Sequence, residues 1–289
     1  MVIALTWVDP LRRRRASPYG AGPTLDDAIE VARRLAGEGL GCTVGYSASP
    51  HDTRRTVADM HLAALERLAA EGLDGEVSVK LSALGFDACL FAELDAAAAR
   101  SAQALHVDAL APDTVEATWG LLRSVPRVGH VGTTLPGRWG RSVEDVRLAG
   151  QLGLRVRLVK GQWPDTPARD LDPAAGVLRV VDRVRGHSER VAVATHDGRL
   201  LAEALTRLMA AGVPCAAELF LGLPFTASLR VARGLGVPVR VYVAYGTCGA
   251  PYGAAELTRN PAAARWLLQD VLLGKEKTWR SIGRARLES

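Results

Sequence analysis

The sequence has few cysteines, and their spacing fits neither a structural metal site nor a disulfide framework. The 289 residues contain four cysteines, Cys42, Cys89, Cys215 and Cys248, with no CxxC or CxxH pair. Small secreted disulfide proteins and zinc modules use closely spaced cysteines, so the pattern argues against both classes. We therefore expect reduced thiols, no bound metal and a cytoplasmic protein.

Long apolar runs are also missing. No apolar segment approaches the ~20 residues that cross a bilayer. The start of the chain, from Met1 to Trp7, lacks the basic region and long apolar stretch of a secretory signal. The net charge of +5 is spread along the chain except for Arg12 to Arg15, to which we attach no function. We expect neither stable membrane insertion nor nucleic-acid binding.

Lysine is scarce, which draws attention to the few that are present. Only four of the 36 Lys and Arg residues are lysines, namely Lys80, Lys160, Lys275 and Lys277. The apolar stretch from Val156 to Trp163 carries both Arg157 and Lys160, and buried charge is costly unless it is paired or used. These two cations lie three residues apart and would point to opposite faces of a strand, so one should face whatever the strand encloses. The alternative is that Lys80 and Lys160 sit at strand ends and extend into water.

Strand and helix patterns alternate along the chain. The apolar strand segments begin near Cys42, Val77, Ala104, Arg127, Val156, Arg190, Pro214 and Pro238, and a helical pattern follows each. Thr24 and Ser142 are predicted N-caps of two helices. Regular βα alternation predicts a parallel sheet, and eight units in a chain of this size favour a closed (β/α)8 barrel over an open doubly wound sheet.

We predict one catalytic domain over residues 1–289. The N-terminal segment would cover residues 1–23, the barrel about residues 24–273 and the C-terminal tail residues 274–289. The last helical region, Tyr252 to Leu273, would lie over the mouth of the barrel.

Polar residues recur where the predicted strands end. The active sites of such barrels lie at the carboxyl ends of the strands, and a Lys, an Asp, an Arg, a His and a Glu together favour an active site over solubility. The positions are Lys80, Asp108, Thr133, Arg157, Lys160, Gly161, Thr195, His196, Glu218 and Tyr242.

Two chemistries could use this ring of residues. Lys80 or Lys160 could form a Schiff base with a carbonyl substrate, as in an aldolase-type lyase. Alternatively, arginine, histidine and backbone N–H groups could hold an anionic, electron-accepting cofactor, while Lys80 and Asp108 form an ion pair on the substrate side.

At these residues the chain resembles the proline dehydrogenase family, whose members are flavoenzymes with a distorted barrel that oxidise L-proline to pyrroline-5-carboxylate. The matching segments occur in the family's order over most of the chain. They are Val77-Ser-Val-Lys-Leu-Ser-Ala-Leu84, Val107-Asp108, Arg157-Leu-Val-Lys-Gly161, Ala194-Thr-His-Asp197, Arg240-Val-Tyr-Val-Ala-Tyr-Gly246 and Tyr252.

The resemblance implies a site for FAD. In the family, the position of Arg157 is near the reactive edge of the flavin, where a cation stabilises negative charge on the reduced ring. The other cofactor-binding positions implied are Thr133, Val159, Lys160, Gly161, Trp163, Thr195, His196 and Glu218; Thr133 and Glu218 stand where glutamines are usual. Lys80, Asp108, Tyr242 and Tyr252 match the substrate pocket, and we expect Lys80, Asp108, Arg157 and Tyr242 to be the catalytic group.

The segment after Tyr252 departs from the family pattern. The family has two adjacent arginines here that clamp the carboxylate of proline, whereas this chain has Ala255 and Glu256, with Arg259 at a glutamate position. Arg–carboxylate contacts are strong and a glutamate would repel a carboxylate, so we expect a substrate other than free L-proline. Glu256 could pair with Arg259 or bind a cationic substrate, and Arg259 could reach a substrate carboxylate instead.

The leading hypothesis is an FAD-dependent dehydrogenase or oxidase that takes a hydride from a carbon beside an amine nitrogen. Its substrate would be a small amine or imino-acid-like molecule, and its electron acceptor a quinone or O2. The alternatives are the Schiff-base lyase and a catalytically silent barrel that binds flavin or another ligand.

Overall fold

Eight parallel strands form a closed barrel at the centre of the computed structural model, which describes residues 20–108, 111–124, 129–166, 169–184, 186–187, 189–223 and 225–247. Neighbouring strands pair in sequence order, and β8 closes the barrel by pairing with β1. The strands are β1 Gly41–Ser47, β2 Gly75–Val79, β3 Ala104–Val107, β4 Val131–Pro136, β5 Arg155–Val159, β6 Val191–Ala194, β7 Cys215–Phe220 and β8 Val239–Gly246. The predicted (β/α)8 barrel is therefore confirmed.

One α-helix precedes each strand in the described part of the chain. The helices are α1 Leu25–Gly37, α2 Arg54–Ala70, α3 Ala88–Ser101, α4 Val115–Leu122, α5 Ser142–Gln151, α6 Pro173–Val181, α7 Gly198–Ala210 and α8 Thr226–Gly234. None of these helices is long and apolar enough to span a bilayer. Arg12 to Arg15, the helix predicted over the barrel mouth and the tail at residues 274–289 lie outside the described residues, so the predicted domain bounds stay a prediction.

The start of α1 shows why this segment folds as a helix. Thr24 Oγ1 accepts a hydrogen bond from the Asp27 backbone N–H, and the Asp27 carboxylate accepts one from the Thr24 backbone N–H. This reciprocal capping box satisfies two backbone donors that a helix start leaves unpaired. The predicted cap at Thr24 is confirmed, and the helix then buries one apolar face that includes Ile29 and Leu35.

The prediction for Ser142 was wrong. Arg141 occupies the N-cap position of α5, and Ser142 is the first residue of the helix. The buried Ser142 hydroxyl instead donates a hydrogen bond of 2.6 Å to the carbonyl of Pro136, the last residue of β4. The side chain thus ties the helix to the preceding strand, a long-range contact that a local capping pattern does not show.

Several strand boundaries differ from the sequence-based prediction, and two of them are described here. Strand β4 begins at Val131 rather than Arg127, although residues 125–128 are not among those described. Strand β2 ends at Val79, and a turn follows in which the Lys80 carbonyl accepts a hydrogen bond from Ala83 N–H. Lys80 therefore lies just beyond the strand, at its carboxyl end.

The apolar core lies between the strands and the surrounding helices. Outward-facing strand residues such as Val77, Leu105, Val156, Val193 and Val241 are almost fully buried there. Because side chains alternate between the two faces of a strand, the residues next to them point into the barrel. Many of those inward positions carry charged or hydroxyl groups, and they build the site described next.

Candidate active site

Arg157 lies at the centre of the barrel interior, bound to carboxylates from two other strands. Its Nε donates to Glu218 Oε2 at 2.8 Å, and its Nη1 lies 3.4 Å from Asp108 Oδ1. The Arg157 and Glu218 side chains are 4% and 3% exposed, whereas that of Asp108 is 16% exposed. Strand β5 therefore turns Arg157 inward, as one of the two cations in its apolar stretch was predicted to be.

Burial and ion pairing have opposing effects on the pKa values of Arg157 and Glu218. Burial alone would lower the pKa of Arg157, but Glu218, Asp108 and Glu76 raise it above its ordinary value. Burial raises the pKa of the Glu218 carboxyl, against the attraction of Arg157. Arg157 Nη2 and Glu218 Oε1 are both buried and have no hydrogen-bond partner among the described residues. The pair thus leaves one donor and one acceptor unused inside the barrel.

Asp108 is held at the carboxyl end of β3 by donors from two other strands. The Thr134 hydroxyl donates to Asp108 Oδ1 at 3.2 Å, and the Tyr242 hydroxyl donates to Oδ2 at 3.3 Å. Its backbone N–H donates to the carbonyl of Val79 on β2. Asp108 is the most exposed of the three charged side chains in this group, so it is the one best placed to meet a molecule entering the mouth.

Tyr242 packs tightly into the same layer. Its ring stacks on Phe220 with centroids 5.2 Å apart, and the Arg157 guanidinium lies 5.5 Å from its centroid. Gly45 on the neighbouring strand makes room, because a Cβ at that position would overlap the Tyr242 hydroxyl. Burial, and then the charge of Asp108, raises the pKa of the Tyr242 hydroxyl, so Tyr242 acts as a neutral donor.

A second charged layer lies deeper in the barrel, and the sequence analysis missed it. Glu76 is its centre: Arg155 Nη1 lies 3.0 Å from its carboxylate, Arg240 Nε 3.5 Å and Arg190 Nη2 3.4 Å. His106 Nδ1 lies 3.6 Å from Glu76 Oε1. Burial alone would raise the pKa of Glu76, but Arg155, His106 and Arg240 hold it well below its usual range. The period-two spacing of Glu76 and Ser78, or of Arg155 and Arg157, was the available signal.

The two lysines singled out from the sequence lie at the mouth rather than in the interior. Lys80 is exposed, and Lys160, with 43% of its side chain exposed, forms an ion pair with Asp197 at 3.2 Å. Asp197 also caps helix α7 through the backbone N–H groups of Arg199 and Leu200.

Three predicted cofactor contacts, Thr133, Thr195 and His196, differ in where their side chains point. Thr134 points into the barrel, so Thr133 lies on the opposite face against the helices. Thr133 is fully buried, and its hydroxyl has no hydrogen-bond partner within the described part of the chain. A contact between the Thr133 side chain and a cofactor in the barrel does not fit this orientation. His196 faces the mouth, where its Nε2 accepts from Phe220 N–H at 2.9 Å, whereas Thr195 Oγ1 accepts from Asp197 N–H in a local turn.

The segment after β5 forms one rim of the mouth. Gly161 has φ of +96°, and a Cβ there would lie 2.8 Å from that of Pro136, so glycine is required. The Val159 carbonyl accepts from Gly137 N–H. Trp163 is 48% exposed, and its carbonyl accepts a hydrogen bond of 2.8 Å from Trp139 Nε1. The rim thus presents backbone and an exposed aromatic ring.

The predicted substrate residues Tyr252, Ala255, Glu256 and Arg259 lie outside the described residues. Their places in the site stay predictions. The described part of the site therefore consists of the barrel interior and the strand ends.

Comparison with known proteins identifies relatives of this chain by sequence. No family model matches the chain. The chain is 26% identical to Proline dehydrogenase 1 of Bacillus subtilis strain 168 over 279 residues, which cover 90% of this chain and 91% of that protein. Proline dehydrogenase 1 of Bacillus subtilis subsp. natto shows the same identity and coverage.

Solved structures give the same picture for the fold. Proline utilization A (PutA) from Bdellovibrio bacteriovorus, inactivated by N-propargylglycine, aligns with a TM-score of 0.69 and 16% identity over 79% of this chain. A Bradyrhizobium japonicum PutA mutant aligns with a TM-score of 0.62 and 18% identity over 78%. The chain spans only 30% and 28% of these two PutA chains. The resemblance inferred from the motifs is thereby confirmed, and the neighbours share the barrel fold.

Proposed function

Starting from this resemblance to the proline dehydrogenases, we propose that the protein is an FAD-dependent oxidoreductase that oxidises the C–N bond of a small amine to C=N. The observation that carries the proposal is Arg157, a buried guanidinium in the barrel with an unused Nη2 donor. The name of the Bacillus subtilis relative supports the reaction type. A barrel interior lined by charged side chains, rather than packed with aliphatic ones, supports a site for a polar ligand.

The described residues fit a flavin ring. Arg157 Nη2 needs an acceptor, and the oxygen and nitrogen atoms along the edge of an isoalloxazine can supply one. The backbone at Val159 and Gly161 and the ring of His196 line the same side of the mouth as Arg157, so they would hold the cofactor there. Glu218 stands where the family usually has a glutamine. Its hydrogen bond to Arg157 offsets part of the positive charge that would favour the reduced flavin.

The chain's own residues would act on the amine as follows. Bound FAD would supply the acceptor for the hydride that leaves the substrate carbon. Asp108 would bind the amine nitrogen and take up the proton that it loses, since its carboxylate is the most accessible charge of the inner layer. Arg157 and the Tyr242 hydroxyl hold that carboxylate in place from either side. Lys80 and Trp163, both exposed at the mouth, would limit the shape of the pocket.

The substrate is proposed to be an amine other than free L-proline. The support is the sequence at Ala255 and Glu256, which match the arginine pair that binds the proline carboxylate in the family. Without that pair, the carboxylate of proline would have no bidentate arginine partner at these two positions. We propose a quinone or O2 as the electron acceptor and the cytoplasm as the location.

The purified protein tests the cofactor and the reaction together. We expect a yellow protein with a flavin absorption spectrum, bleached anaerobically by at least one member of a panel of cyclic and acyclic amines. L-proline in the same panel should bleach it poorly. A protein that stays colourless when FAD is added would contradict the proposal. Bound flavin that no amine reduces would favour the silent barrel, and an adduct trapped by borohydride at Lys80 or Lys160 would favour the lyase.

The double substitution Ala255→Arg with Glu256→Arg tests the substrate proposal. Charge-assisted hydrogen bonds contribute about 1.5–3 kcal/mol, so the L-proline concentration for half-maximal flavin reduction should fall roughly 10- to 100-fold. Ala255→Lys with Glu256→Lys is the matched control, because it restores the charge without the planar fork of arginine. An unchanged response to L-proline in the arginine variant would show that these positions do not contact the substrate carboxylate.

A further inference from the structure

A line of hydrogen-bonding side chains runs from Asp108 at the mouth to the base of the barrel. Asp108 Oδ1 accepts from the Thr134 hydroxyl at 3.2 Å, and Thr134 Oγ1 lies 2.9 Å from His106 Nε2. His106 Nδ1 then faces Glu76 Oε1 at 3.6 Å. Thr134, His106 and Glu76 are buried. The reaction proposed above uses Asp108 and leaves the other three residues without a role.

The distances in this line favour one assignment of donors and acceptors, because Thr134 is within 3.2 Å of both Asp108 and His106, whereas His106 Nδ1 is 3.6 Å from Glu76 Oε1. An ionised carboxylate only accepts hydrogen bonds, so the Thr134 hydrogen points to Asp108. The Thr134 oxygen must then accept from His106 Nε2–H. A neutral imidazole carries one hydrogen, so Nδ1 would turn a lone pair toward Glu76. All hydrogens in the line therefore point toward Asp108.

The charges around His106 keep the ring neutral. Glu76 of β2, Asp108 after β3 and Arg157 of β5 all face it. Burial and the charge of Arg157 together lower the pKa of His106 to about 4, although Glu76 and Asp108 act against the shift. The choice at neutral pH is thus between two neutral tautomers. The Nδ1–H tautomer would suit Glu76 better, because it places a hydrogen rather than a lone pair beside that carboxylate.

We propose that His106 and Thr134 form a directional hydrogen-bond chain that keeps Asp108 an ionised acceptor, and that the tautomer of His106 depends on Asp108. Both are positioning residues, since they act through Asp108. The inference deepens the proposed function, because it assigns the chain to the carboxylate that receives the cationic amine. If the carboxylate of Asp108 is removed, Thr134 is free to donate to His106 Nε2, and the ring hydrogen moves to Nδ1, toward Glu76.

Nitrogen NMR of the 15N-histidine-labelled protein with its cofactor tests the chain directly. The protein has six histidines, and the His106 signals are identified by their loss in His106→Gln. We expect the Nε2–H tautomer in the wild type and in Thr134→Ser, and the Nδ1–H tautomer in Asp108→Ala and Thr134→Val. Ser228→Ala is the matched control, since it also removes a buried hydroxyl, one that has no hydrogen-bond partner among the residues that the structure describes, and it should leave the wild-type tautomer.

Flavin reduction supplies a second measurement. Thr134→Val should raise the half-saturating amine concentration at least tenfold with a smaller change in the maximal rate, and Thr134→Ser should restore it. An Nδ1–H tautomer in the wild type, or an unchanged Nε2–H tautomer in Asp108→Ala, would overturn the chain. If Thr134→Val does not fold, Asp108→Ala and Thr134→Ser still decide the question. A protein that fails to bind flavin but shows the switch would overturn the proposed function and support the chain.

Discussion

Replacing Arg157 with methionine should lower the free energy of unfolding by about 3–5 kcal/mol, the usual cost of removing one partner of a buried ion pair. The reason lies in the two carboxylates that Arg157 joins, Glu218 at 2.8 Å and Asp108 at 3.4 Å. Both would remain inside the barrel, and Glu218 would lose its partner entirely among the described residues. Urea unfolding of the wild type and the variant measures the difference.

The same substitution should remove the bound flavin, because Arg157 supplies the buried donor on which the proposed cofactor site depends. We expect Arg157→Met to be purified without stoichiometric FAD. Arg183→Met is a suitable control, since Arg183 is an exposed arginine and surface substitutions usually change stability by less than about 0.5 kcal/mol.

A double substitution separates the two effects. In Arg157→Met with Glu218→Gln, the buried carboxylate becomes a neutral amide, so part of the lost stability should return while flavin binding stays absent. If Arg157→Met alone is as stable as the wild type and retains its flavin, the guanidinium is neither the partner of Glu218 in solution nor part of the cofactor site.

Lowering the pH from 8 to 5 should lower the free energy of unfolding by about 4 kcal/mol through two buried histidines. Burial lowers the pKa of both His61 and His106 to about 4; the charge of Lys80 contributes at His61 and that of Arg157 at His106. In the unfolded chain histidine titrates near ~6.5, so between these values the unfolded state binds more protons and stability falls with falling pH. Each histidine contributes about 2 kcal/mol at pH 5.

This loss is large compared with the total free energy of unfolding of a typical domain, which is about 5–15 kcal/mol. Urea unfolding at pH 8 and pH 5 gives the difference. His61→Gln should remove about half of it, because the amide fills a similar space and does not titrate. His51→Gln is the matched control, since His51 is exposed. A pH dependence that is the same in His61→Gln and the wild type would show that His61 can be protonated in the folded protein.

Most of the fold could be predicted from local patterns. The strand starts at Cys42 and Ala104 agree with the observed strands to within a residue, because short apolar segments between helical patterns mark buried parallel strands. The cap at Thr24 could be predicted because its side chain bonds to a backbone N–H only three residues further along the chain. The prediction for Ser142 was wrong because its hydroxyl bonds to the carbonyl of Pro136 at the end of β4 rather than to its own helix.

The candidate site was predictable only in part. Asp108 follows β3 as predicted, whereas Arg157, Glu218 and Tyr242 lie within their strands rather than at the predicted ends. The four side chains nevertheless meet inside the barrel, because the strand residues among them point inward. The deeper layer around Glu76 was missed, although its residues follow the same alternation. The sequence predicts a cofactor contact at Thr133, whereas it is Thr134 that points into the barrel. A shift of one residue along a strand moves a side chain from the interior to the face that packs against the helices.

The sequence by itself determined which segments are strands, in what order they follow one another, and that these segments carry charged residues. Only the tertiary structure decided which charges become partners: Arg157 and Glu218 are 61 positions apart in the chain, and Arg240 and Asp74 are 166 apart. The physical reason is that strand formation depends on local periodicity. A buried ion pair depends on the register in which a closed barrel brings distant strands together.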